Sequence, residues 1–201
     1  MLSKINNLGY YSNLKDTYEK ISDSIVNMEE TGSKWANRFI IAAILQGGVI
    51  TAMSIAIVGI QMSYTQVNII QYLSLSFDGT AKWFFLGIIF YLIVVLAVAV
   101  SALFYSHLEI TLKKKFSKAS NVLAAIHLIG MNIGGAGAMI IMAFAGLAGT
   151  GILTVFTEGK IGPKYPAIMD SFIEPIGGFI AILALGVICG GMGFILAFRN
   201  K

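Results

Sequence analysis

Charge is scarce in this chain and unevenly placed. Only 12% of its 201 residues are Asp, Glu, Lys or Arg, against about a quarter in soluble domains. Four stretches carry none at all: Phe39–Phe77 (39 residues), Trp83–Leu108 (26), Ala119–Thr157 (39) and Pro175–Phe198 (24). An apolar run of about eighteen residues or more with few charges reads as a membrane-spanning helix. The deficit therefore excludes a soluble enzyme and, despite a net charge of +4, a nucleic-acid module. A single cysteine, Cys189, excludes an internal disulfide and a cysteine metal cage. The three prolines, Pro163, Pro166 and Pro175, all fall in or at the edge of Thr157–Glu174. They mark that segment as an ordered loop rather than a flexible linker.

What remains is apolar and glycine-rich. The expected fold is all-α: a polytopic membrane protein with four transmembrane helices in a bundle. Residues 33–201 form that domain, with spans at about 35–62, 81–112, 120–155 and 175–198. Trp35, Tyr64, Tyr72, Trp83 and Tyr105 fall near span ends, where amphipathic rings prefer to sit. Residues 1–32 form a separate amphipathic helix on the inner side, with Leu14, Tyr18, Ile21, Ile25 and Met28 on one face. Its acidic residues argue for docking on a partner or on the protein's own inner face, ahead of a lipid surface. The N-terminus is charged and has no apolar core before Phe39, so it does not read as a secretory signal.

Topology follows from Lys and Arg. With the N-terminus inside, eleven basic residues lie inside, including Lys113, Lys114, Lys115 and Lys118; Lys82, Lys160 and Lys164 lie outside. The positive-inside rule then puts both termini inside, in the cell membrane of a prokaryote or an organelle inner membrane. The lysine cluster fixes orientation and has the charge to touch anionic lipid heads.

Helices associate in lipid through small residues. Gly130, Gly134 and Gly137 line one face of span three, and Gly186 and Gly190 one face of span four. These five are the expected packing residues. Span three is longer than the bilayer requires. It either runs on as one tilted helix, the favoured reading, or breaks at Gly134–Gly137 as transporter helices do.

Candidate chemistry is thin. No Asp, Glu, Lys or Arg sits clearly inside a span, which counts against an ion-coupled pump. Met139 and Met142 read as packing, ahead of copper ligands. Gln46, Asn132 and Ser101 read as interhelical hydrogen-bonding groups. His107 and His127 flank the loop between spans two and three, at similar depth. They are candidate haem b ligands, although an interhelical hydrogen bond for each is the plainer reading. No metal site and no catalytic set emerges. The expected function is an accessory membrane subunit of a larger complex, of bioenergetic (respiratory or electron-transfer) type, with other membrane subunits and lipids as partners and no catalysis of its own. Two alternatives stay open: a haem b electron carrier using His107 and His127, and a small channel or transporter for a neutral solute.

Overall fold

A computed structural model describes residues 16–20, 32–64, 66–75 and 79–199. By contacts the chain divides into two units, Met1–Lys34 and Trp35–Lys201. In the first, residues 16–20 are helical and Tyr18 is exposed. Leu14, Ile21, Ile25 and Met28, the remainder of the expected amphipathic face, lie outside the described residues.

Most of the described residues are helical, with no strand among them. Four helices are long and apolar enough to cross a membrane: Lys34–Ser63, Ala81–Thr111, Lys118–Gly149 and Pro166–Arg199. They are called the first to fourth spans below. Between the first two lies a short helix, Ile69–Leu75, with Ile69 and Leu73 buried. Gln61 ties it down: its Nε2 donates to the Val67 carbonyl (2.8 Å), and its Oε1 accepts the Ile70 N–H (3.1 Å).

Local chemistry explains where the spans stop. The third starts at a cap, where the Ser117 hydroxyl accepts the Ser120 N–H at 3.1 Å, a contact worth about 1 kcal/mol. It ends at Gly149 although apolar residues continue to Phe156. Thr150 turns its hydroxyl back to the Leu147 carbonyl (2.7 Å), and Gly151 takes φ 74°, which ends the helix. The following loop is clasped by its own backbone. Gly162 donates to the Gly151 carbonyl and Tyr165 to the Gly149 carbonyl, each at 3.0 Å.

Two spans contain widened turns. His107–Thr111 and Gly130–Gly135 are π-helical. The second lies in the middle of the third span, so that span neither runs as a uniform α-helix nor unwinds at Gly134–Gly137. It stays helical through a π segment. The fourth span begins at Pro166 with a 3-10 turn and becomes α-helical at Asp170, ahead of the expected start at Pro175. Pro175 lies inside the α-helix, where it has no N–H to give the Ser171 carbonyl.

The second, third and fourth spans pack through close backbone contacts, second on third and third on fourth. The first attaches differently. Its apolar stretch is 11% buried, against 33%, 44% and 17% for the second, third and fourth spans. It is held by a few side chains, among them Trp35, Phe39, Gln46 and Ile50. One apolar cluster gathers Phe39, Tyr91, Val98, Tyr105, Ala124 and Ala138; a second, around Ile69, Phe84, Ala143 and Val155, lies toward the other end.

Candidate functional site

The glycines set how closely the spans approach. A Cβ on Gly130 would lie 2.5 Å from the Gly186 Cα, and one on Gly134 would lie 2.4 Å from the Leu183 nitrogen. Gly137 faces the Phe179 ring, and Gly190 faces the His127 ring. Two further glycines, not singled out by the sequence pattern, do the same between the second and third spans. A Cβ on Gly87 would lie 2.6 Å from the Ala143 nitrogen, and one on Gly146 would lie 2.2 Å from that of Phe84. Gly146 follows Ala143 by three residues along the third span, a small-residue spacing that was available in the sequence.

His127 is buried at the end of the spans that carries Trp35. Its Nδ1 lies 3.2 Å from the Tyr105 hydroxyl, and its ring packs against Phe39 and Phe194. Tyr105 stacks on Phe39, with ring centroids 4.9 Å apart, and also meets Phe194 and Phe116. Trp35 fastens the first span to this cluster. Its backbone N–H donates to Glu109 (3.2 Å) and its indole N–H to Asn121 (2.8 Å). His107 has different surroundings: it is exposed and lines a groove between the second and fourth spans.

A polar pair lies further along the first span. The Gln46 Nε2 donates to the Asn132 Oδ1 at 2.7 Å, and the Asn132 Nδ2 donates to the Leu128 carbonyl at 2.7 Å. The chain of donors fixes the orientation of both amides. It leaves the buried Gln46 Oε1 without a hydrogen-bond partner among the described residues. Asn132 sits in the π segment, and both residues line an apolar groove of about 470 Å³ with Tyr91, Leu45 and Ile133.

Among the described residues, no three His, Cys, Asp or Glu side chains come together in a way that could hold a metal. Met139 is buried and belongs to the main apolar cluster, with Met142 packed against it. Cys189 is a free thiol, half-buried on the fourth span. The chemistry on view is therefore packing, interhelical hydrogen bonding and two apolar grooves with polar groups in their walls. Compared with protein-family models, curated proteins and solved structures, the chain matches none.

Proposed function

We propose that this protein is an accessory, non-catalytic membrane subunit of a larger complex, with its four spans bundled and both termini on the inner side. One observation carries the reading: the chain holds two sets of small residues and uses only one of them internally. Gly87, Gly130, Gly134, Gly146 and Gly186 are filled by neighbouring backbone. Gly48, Ala52, Ala56, Gly59 and Ser63 form an exposed stripe along the first span at helical spacing. A Cβ on Gly48 or Gly59 would meet nothing within 4 Å among the described residues. Gly177, Ala181, Ala184 and Gly191 form a similar exposed stripe on the fourth span. Lipid-facing helices gain nothing from glycine, which costs about 0.5–1 kcal/mol of helix stability relative to alanine. Close approach by another helix restores that loss. The weak attachment of the first span fits the same reading, because a neighbouring subunit would complete its burial. Respiratory or electron-transfer assemblies are the host class we favour.

Extraction in mild detergent from the native membrane tests the assignment. Co-purification with other membrane subunits is the expected result; migration only as a free monomer would sink it. A haem b band in the reduced-minus-oxidised spectrum of this chain purified alone would move the assignment to the electron-carrying alternative.

A further inference from the structure

The groove beside His107 has a composition that the packing role leaves unexplained. It occupies about 380 Å³ between the ends of the second and fourth spans, lined by Phe104, His107, Leu108, Phe194, Phe198 and Arg199. Its body is apolar, and Phe104 and Phe198 remain more than half exposed. Its rim is basic. Arg199 is exposed in the groove wall, and the Lys114 Nζ lies 5.9 Å above the Phe198 ring.

Backbone geometry delivers Lys114 to this position. The second span ends in its π turn, with the Leu112 N–H on the His107 carbonyl and the Lys114 N–H on the Leu108 carbonyl, each at 2.9 Å. Lys113 takes φ 50°, a left-handed conformation that reverses the chain. The next residue, Lys114, is thereby carried back against the fourth span. Lys115 and Lys118 follow close behind in sequence. Glu109, on the same π turn, accepts the Trp35 N–H.

An apolar trough with a cationic rim at the end of a membrane helix matches one kind of molecule. A soluble anion has no use for the trough, and a neutral lipid makes no use of the basic rim. An acyl chain buries apolar surface along Phe104 and Phe198, while a phosphate at the helix ends comes within reach of the Lys114 and Arg199 side chains. We propose that this groove binds an anionic phospholipid, with one acyl chain in the trough, its phosphate between Lys114 and Arg199, and the His107 ring beside it. The proposal rests on the four helices spanning a membrane and is independent of the subunit assignment.

Native mass spectrometry of the full chain in detergent tests it, with phosphatidylglycerol and phosphatidylcholine of identical acyl chains as probes. Preferential retention of phosphatidylglycerol is expected. The double variant Lys114→Gln/Arg199→Gln should weaken it about 10- to 30-fold, since each basic residue near the headgroup is worth about fivefold. Lys82→Gln/Lys160→Gln removes the same charge from two exposed lysines at the other end of the spans and should leave retention unchanged. Ile195 also lines the groove; Ile195→Trp fills it without touching its charges and should also lower retention, and it serves if the double variant does not fold. Equal retention of the two lipids overturns the proposal. So does an equal loss in the two charge variants, or retention unaffected by Ile195→Trp. Stabilisation by free glycerol phosphate to the same degree as by phosphatidylglycerol would likewise overturn it, because the acyl chain would then contribute nothing.

Discussion

Gly130 and Gly186 meet backbone to backbone: a side-chain carbon on Gly130 would lie 2.5 Å from the Gly186 Cα and 3.0 Å from the Ile182 carbonyl oxygen. The third and fourth spans can approach this closely only where neither has a side chain at the crossing. In lipid there is little hydrophobic drive to bring helices together, so contact of this kind supplies much of the association energy.

That contact makes the glycines unequal. Gly134→Ala should cost about 1–3 kcal/mol, because the added carbon meets backbone that cannot yield without moving the spans apart. Gly59→Ala should be neutral or stabilising by up to about 1 kcal/mol, since nothing lies within 4 Å. Unfolding of the purified protein in mixed micelles checks both. Equal effects at the two positions would contradict the packing described.

The spans themselves were legible from hydropathy, and so was the small-residue face of the third span. Their ends and internal turns were not. Apolar composition continues past Gly149, but Gly151 in the left-handed region reverses the chain, and hydropathy does not record dihedral angles. The π segment at Gly130–Gly135 is likewise a change of hydrogen-bond step with no compositional mark. The histidines show the same limit. Depth along a helix follows from counting residues, but facing requires the angular phase. Positions two residues apart on an α-helix are separated by about 200°. Tyr105, two positions before His107, is the one that reaches His127, while His107 turns to the groove.

Tyr105 and His127 form a buried pair that can be taken apart. Tyr105→Phe removes the hydroxyl and should cost about 0.6 kcal/mol, and at most about 1.7, as interhelical hydrogen bonds in lipid do. His127→Ala should cost more, because it also empties space between Phe39 and Phe194. Gly190→Ala should displace the same ring, since its added carbon would lie 2.5 Å from the His127 Nδ1. Combining Gly190→Ala with His127→Ala should therefore give less than the sum of the two losses. Strict additivity in micelle unfolding would show that the two positions do not share this contact.

Gln46 and Asn132 should respond asymmetrically. Asn132→Leu takes the Oδ1 acceptor from the Gln46 Nε2, leaving it only the long 3.4 Å contact to the residue-132 carbonyl beside an Oε1 that already lacks a partner among the described residues, whereas Gln46→Leu leaves only the Asn132 Oδ1 without its donor. The first change should be the more damaging, and the double variant should recover most of the loss because no polar group of the pair remains orphaned. The same unfolding assay reads all three. A double variant worse than either single change would contradict the assignment of donors.

Lys113 is a lysine in a conformation that favours glycine, with φ 50°. Lys113→Gly should relieve the steric cost of the left-handed backbone. Glycine's greater freedom in the unfolded chain offsets part of that gain. A net stabilisation of a few tenths to about 1 kcal/mol is expected. Lys113→Val should destabilise, because a β-branched side chain tolerates this region poorly. Thermal unfolding of the three proteins in one detergent orders them Gly, Lys, Val from most to least stable. The reverse order would mean that the loop does not use a left-handed residue here.

The exposed stripe of the first span separates folding from assembly. Gly48→Ile and Ala52→Ile add bulk where the chain itself places nothing, and both positions are exposed. The isolated protein should keep its stability within about 0.5 kcal/mol, as surface changes generally do. Its retention of neighbouring subunits in mild detergent should fall, because the added side chains hold a partner helix away from the stripe. Gly130→Ile should instead disrupt the chain's own packing and lose partners only through misfolding. A first-span variant that is fully stable and retains every partner would remove this stripe from the interface and, with it, the main support for the subunit assignment.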